Sequence, residues 1–202
     1  DIDKFKFNKD VREQIRVRYG IGNDFLIGHV GRFDVQKNHS FLIDVFAKVH
    51  HAMPNCKLML IGEGYLKENI LQKINELCLQ GHVILTGTRD DVNCFYNAFD
   101  LFVLPSLFEG LPVVAVENQI NGCPALLSSA ITTETQISPD VRFIGLREEL
   151  WYAEIVKYIR MYGNRRKERH INSYIFSYDI EIEAIKLQNI YRDLWNKVTT
   201  KK

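Results

Sequence analysis

The chain has 202 residues, 46% of them hydrophobic and 25% charged, a composition that supports one buried core and a single domain. Lysine plus arginine total 26 and aspartate plus glutamate 25, so the formal charge is +1 and there is no electrostatic case for a nucleic-acid partner. No apolar run approaches the ~20 residues of a membrane span, and Cys56, Cys78, Cys94 and Cys123 lack C-x-x-C spacing, which argues against a zinc site of the cysteine type.

The residues Asp1 to Lys9 mix charge with Ile2, Phe5 and Phe7 and do not read as a signal peptide. With no methionine at the start, the chain is expected to be a piece of a longer protein, beginning in a linker. Lys9 to Arg18 is expected to be an amphipathic helix carrying Val11, Ile15 and Tyr19, with Gly20 as its stop. Phe25 to Val30 reads as a buried strand. Asn38 is the expected N-cap of a helix through His51, with Phe41, Leu42, Val45, Phe46 and Val49 inward. His50 and His51 read as surface or rim residues. Lys57 to Ile61 is the next strand, followed by a helix from Tyr65 to about Gln80 on Leu66, Ile70, Ile74 and Leu77.

Val83 to Leu85 predicts a short strand, and Asp91 the start of a helix through Ala98. Leu101 to Leu104 is an apolar strand ended by Pro105, and Leu111 to Ile120 a helix stopped by Asn121-Gly122. Ala125 to Leu127 and Val141 to Ile144 are the last expected strands. From Glu148 the pattern is helical, with residues 146–202 forming C-terminal helices. The run Arg165-Arg166-Lys167-Glu168-Arg169-His170 is expected on a solvated helix face. The cysteines are expected to be buried thiols in a reducing cytoplasm.

Short apolar strands alternating with helices predict a doubly wound, Rossmann-like α/β domain with a parallel sheet. Such sheets bind ligands beyond the carboxyl ends of their strands, so three strand-to-helix loops are the candidates. The first runs from Gly31 to Asn38 and carries Arg32 and Lys37, two cations beside a helix N-terminus, suited to a diphosphate. The second is Gly62-Glu63-Gly64, where glycine permits close approach of a ligand. The third, Pro105 to Pro112, holds Glu109 and leads into an apolar helix that carries Glu117. Pro112 is expected in its first turn, with the amides of Gly110 and Leu111 at an open helix end. No G-x-G-x-x-G follows the first strand, which argues against dinucleotide binding. No D-x-D cluster suits a divalent metal, and Asp90-Asp91 reads as a helix cap.

Phe108-Glu109-Gly110-Leu111-Pro112 through Glu117 resembles the E-x7-E signature of retaining glycosyltransferases of family 4, which have the GT-B fold. Gly28 to Phe33 with Lys37-Asn38-His39, Leu60 to Gly64, Leu85-Thr86-Gly87 and Ala98 to Ser106 occur in the same order as in that family, and the resemblance covers roughly residues 1 to 145. It implies that the chain is the carboxyl-terminal, donor-binding half of such an enzyme, similar to those of bacterial capsular and exopolysaccharide biosynthesis. It implies that Glu109 contacts the donor sugar near the reacting centre and Glu117 the ribose hydroxyls. Arg32 and Lys37 would bind the diphosphate, Gly110 and Leu111 would approach phosphate and sugar, and Thr88 and Arg89 would lie near the base. The donor is then a nucleotide sugar, UDP expected and GDP the alternative, bound without metal or other cofactor. The implied partners are a saccharide or lipid-linked acceptor and an absent amino-terminal domain. The implied place is the cytoplasm, peripheral to the inner membrane face, and the isolated chain is expected to be inactive. A nucleotide-sugar epimerase of the same fold and a non-catalytic nucleotide-sugar-binding module are the alternatives.

Overall fold

The computed structural model describes residues 1–163 and 178–199. The charge run at Arg165 to His170 lies outside them. Six parallel strands form one sheet: β1 (Phe25–Val30), β2 (Cys56–Ile61), β3 (Val83–Leu85), β4 (Leu101–Leu104), β5 (Ala125–Ser128) and β6 (Val141–Ile144). Their order is β3-β2-β1-β4-β5-β6, the doubly wound arrangement expected. The order in which successive strands are added reverses between β1 and β4, which pair in parallel through Ile27–Leu101 and Gly28–Phe102.

Among the described residues there are seven α-helices, α1 (Lys9–Arg18), α2 (His39–Ala52), α3 (Lys67–Glu76), α4 (Val92–Ala98), α5 (Val113–Ile120), α6 (Glu148–Tyr162) and α7 (Ile180–Thr199), of which the first six flank the sheet. On one face Leu42, Val45 and Phe46 of α2, Ile70 and Ile74 of α3 and Trp151 and Ile155 of α6 pack on Ile27, Leu58 and Val103. On the other, Ile15 of α1, Phe95 and Tyr96 of α4 and Ala115 of α5 pack on Leu26, Met59 and Phe102. Strands β1, β4 and β5 are buried throughout, which is why their sequences are apolar apart from His29 in β1 and Ser128 at the end of β5.

Several local readings change. Helix α3 ends at Glu76 rather than near Gln80. Cys78 adopts φ 54°, its N–H bonds Asn75 O (3.1 Å), and the N–H of Leu79 bonds Ile74 O (2.9 Å). That is a Schellman closure with cysteine in the left-handed position, three residues before Gly81, where a glycine pattern would put it. Cys78 is therefore exposed and Cys94 half-buried, while Cys56 and Cys123 are buried as expected. Asn38 stands at the N-cap of α2 but in left-handed geometry, with no capping bond from its side chain. Helix α5 begins at Val113, with Pro112 as an extended N-cap residue, so Gly110 and Leu111 precede the helix instead of opening it. Short 3-10 turns at Asp3–Phe5 and Thr133–Thr135 have no counterpart in the sequence reading.

The largest departure from pattern is polar. Arg12 and Arg16 of α1 are buried, on the side of the helix opposite the expected role of arginine. Both meet Asp100, at 2.5 and 3.1 Å, and Asp100 also accepts the Leu26 N–H at 2.7 Å. Nη1 of Arg12 donates to the carbonyls of Asn97, Ala98 and Phe99 at 2.9–3.2 Å, the last carbonyls of α4. The guanidinium groups thus satisfy the orphan acceptors of a helix end and anchor α1 to the sheet.

Candidate functional site

The candidate site lies where the loops after β1 and β4 meet, at the point where the strand order reverses and where doubly wound sheets offer a ligand crevice. The two loops are joined by backbone and side chain. Leu107 N–H donates to Gln36 O (2.8 Å), and Gln36 Nε2 donates to Phe108 O (2.9 Å). Asn38 Nδ2 donates to Pro105 O (3.3 Å). This stitch, together with the tolerance of asparagine for positive φ, accounts for Asn38 without a capping role.

Glu109 sits at the centre of the joint. Its carboxylate takes Lys37 Nζ as an ion pair, Ser106 Oγ at 2.8 Å and Gln36 Nε2 at 3.1 Å. Lys37 and Glu109 are 15% and 9% exposed, so the pair is shielded from water on most sides, and its attraction exceeds that of a surface pair. The backbone of Glu109 is held by a parallel bridge to Ile131. Arg32, three-quarters of a loop away from Lys37 in sequence, is exposed, and its guanidinium makes no hydrogen bond or ion pair among the described residues. One cation is therefore engaged and the other is available.

The loop after β2 supports this crevice from behind. A Cβ on Gly62 would lie 2.1 Å from Gly31 O, and one on Gly64 would lie 2.4 Å from Phe33 O. Phe33 N–H donates to Glu63 O (2.9 Å) and Leu66 N–H to Phe33 O (3.1 Å). The close approach that requires glycine here is by the loop holding Arg32 and Lys37, so Gly62 and Gly64 shape the site through that loop. Gly31 itself is confined by His29 Nε2 and the Lys37 stem, each 3.0 Å from where its Cβ would be.

Beneath lie two histidines that the sequence reading did not single out. His29 and His39 are 0% and 1% exposed, with ring centroids 4.6 Å apart, and Phe33 packs edge-on against His39 at 4.8 Å. Burial, then His39, pushes His29 well below the ordinary imidazole range; burial, then Lys37, lowers His39 to about 4. Both are neutral at pH 7. Nδ1 of His29 lies 2.9 Å from Val103 O and so carries the proton, which leaves Nε2 a lone pair. A polar residue in the middle of an apolar strand was the available signal.

Glu117 lies on α5, outside the Lys37–Glu109 cluster. Tyr96 Oη donates to its Oε2 at 2.8 Å. Burial raises the Glu117 carboxyl above the usual range, opposed by the Tyr96 hydrogen bond and by Lys4. Leu111 is exposed and borders the same groove of about 210 Å³ as Glu117. Gly110 is open, with nothing within 4 Å of a Cβ position. Thr88 and Arg89 lie after the edge strand β3, two strands from the crevice. Arg89 is committed to Asp91 by two bonds of 2.8 and 2.7 Å, so Asp91 is a salt-bridge partner rather than a side-chain cap. Among the described residues, no group of three or more His, Cys, Asp or Glu side chains is placed to hold a metal ion.

Residues 11–167 match the model of the family described as glycosyl transferases group 1. The chain is 37% identical over 133 residues to the putative glycosyltransferase EpsF of Bacillus subtilis, covering 65% of this chain and 35% of that protein. It is 31% identical over 136 residues to UDP-Gal:alpha-D-GlcNAc-diphosphoundecaprenol alpha-1,3-galactosyltransferase of Escherichia coli, covering 64% and 34%. It thus spans about a third of the length of these relatives. Among solved structures, Anabaena Alr3699/HepE in complex with UDP superposes with a TM-score of 0.74 at 23% identity, over 97% of this chain and 55% of that one. Sucrose-phosphate synthase of Thermosynechococcus elongatus does so at 0.80 and 20%, over 98% and 51%, a likeness of fold. With more than half of its length matched to the family model, the chain belongs to the glycosyl transferases group 1 family.

Proposed function

We propose that this chain is the donor-binding domain of a retaining glycosyltransferase that takes a UDP-sugar without a metal ion. The observation that carries the reading is the crevice between the β1 and β4 loops. There Lys37 and Glu109 meet, and the exposed Arg32 stands in the same loop as Lys37. Transfer breaks the bond between the anomeric carbon and the diphosphate oxygen, and negative charge collects on the departing diphosphate. Arg32 and Lys37 lie where that charge would grow, and preorganised cations stabilise it without reorganisation. Lys37 reaches the diphosphate by leaving Glu109, whose carboxylate then faces the sugar hydroxyls. Glu117 takes the ribose, and Gly110 leaves room for the donor at the loop tip. Thr88 and Arg89 would flank the base.

The acceptor is proposed to be a lipid-linked saccharide of surface-polysaccharide assembly, met at the cytoplasmic face of a membrane, in keeping with the diphosphoundecaprenol named for the Escherichia coli relative. Among the described residues no helix is long and apolar enough to cross a membrane. Transfer itself is assigned to the longer protein in which this domain is joined to an acceptor-binding one.

The test is calorimetry or NMR titration of the chain with UDP, GDP and a set of UDP-sugars, with and without Mg²⁺, beside Arg32→Ala and Glu117→Ala. Binding of UDP that is indifferent to Mg²⁺ and about tenfold or more weaker in each variant supports the reading. Binding that requires Mg²⁺, or that neither substitution weakens, overturns it.

A further inference from the structure

The core contains a tyrosine whose polar end leaves the apolar packing at one point. Tyr96 lies in the last half of α4 and is 0% exposed. Its ring is held edge-on by Phe99 and Phe102, at centroid distances of 6.0 and 6.1 Å, with Phe5 at 6.2 Å. A tyrosine has two side-chain torsions, so this packing fixes the position of its hydroxyl. The hydroxyl meets Glu117 Oε2 at 2.8 Å. Glu117 is half-buried, and its Oε1 accepts no hydrogen bond among the described residues.

We infer that Tyr96 is a positioning residue for Glu117, which it holds in one orientation so that Oε1 accepts from the vicinal hydroxyls of a nucleotide's ribose; the inference rests on the donor-site reading above. The terminal torsion of a glutamate is broad, and an unheld carboxylate on α5 would sample many directions. A charge-assisted bond from a rigid donor to one oxygen narrows that range and leaves the other oxygen as the acceptor. The same bond opposes the effect of burial on the Glu117 carboxyl, with Lys4 of the amino-terminal segment as the second opposing group. Tyr96 never touches the ligand. It acts through Glu117 alone, in the manner of a partner that fixes a binding group before the ligand arrives.

The experiment compares the unsubstituted chain with Tyr96→Phe, Glu117→Gln and the double variant. Phenylalanine keeps the ring in its apolar cage, and the amide NMR spectrum verifies that the fold is retained. Side-chain ¹³C NMR follows the Glu117 carboxyl through its titration, and calorimetry measures UDP against 2′,3′-dideoxyuridine diphosphate. Tyr96→Phe is expected to move the Glu117 midpoint upward. It is expected to weaken UDP about 5- to 20-fold while leaving the dideoxy analogue unchanged, and to add nothing in the Glu117→Gln background. Equal weakening of both nucleotides would show a packing role and overturn the inference. So would a Glu117 midpoint that stays in place, with the donor reading left standing. An unsubstituted chain that binds neither nucleotide removes the donor reading and the ribose half of the inference with it.

Discussion

The Lys37–Glu109 pair shows how a residue's role follows from its neighbours. Lys37 was legible as a cation near a helix start, and Glu109 as an acid at a strand end, each from the sequence alone. That they neutralise one another was not, because 72 positions separate them and only the sheet order brings their loops together. Glu109→Gln is expected to release Lys37 and tighten binding of inorganic diphosphate a few-fold while weakening a UDP-sugar, as calorimetry on both ligands would show. Opposite signs for the two ligands are the diagnostic; a common sign would refute the pairing as the control. The buried histidines make a pH prediction. An unfolded imidazole titrates near 6.5, and His39 in the fold near 4, so the unfolded chain binds more protons between those values. Stability is complete above about pH 6.5 and falls as pH drops towards 4, by about 3 kcal/mol from His39. Burial lowers His29 in the same direction. Urea melts from pH 7.5 to 4 measure the slope, and His39→Leu is expected to flatten it. A variant as acid-sensitive as the parent would sink the assignment.

At the scale of elements, the strands and most helices were readable because doubly covered parallel strands are unbroken apolar runs bounded by glycine and proline. Elements failed at their ends, where chemistry other than periodicity decides. Helix α3 closes on Cys78, a residue with no reputation for positive φ, because Leu79 is drawn back into the core beside Ile74. Cys78→Gly is expected to stabilise the domain by about 1 kcal/mol, seen as a higher melting temperature by differential scanning calorimetry, since glycine meets no penalty in that conformation. Unchanged or lower stability would mean that the turn is not strained. The burial of the α1 arginines was not legible for a related reason: helical periodicity sorts apolar from polar, and it has no way to see Asp100 and the carbonyls of Asn97, Ala98 and Phe99 waiting opposite. Asp100→Asn leaves two buried guanidinium groups without their counter-charge and is expected to cost about 3–5 kcal/mol in denaturant unfolding. A loss below about 1 kcal/mol would show that the carbonyls alone hold Arg12 and Arg16.

For the molecule as a whole, the fold class and the three site-bearing loops were legible because a parallel sheet places every strand's carboxyl end on one side. The sequence reading treated those loops as three separate ligand contacts. The structure stacks them: Gly62 on Gly31, Gly64 on Phe33, Gln36 on Leu107. Which loops touch a ligand and which support their neighbours depends on strand order, and local pattern carries no record of strand order. Helix α7 was expected, and its Ile185, Leu187 and Tyr191 are exposed. The crevice itself is assembled from residues far apart along the chain, Gly31 to Asn38 against Pro105 to Pro112, so it vanishes on unfolding. A molecule that fits it distinguishes the native state from every other state of the chain. Such a ligand stabilises the fold with the logarithm of its concentration over its dissociation constant, about 2.7 kcal/mol at a hundredfold excess, and so raises the melting temperature. Thermal shift is thereby a reagent-free readout of occupancy, able to rank nucleotides on the domain alone before any acceptor is known.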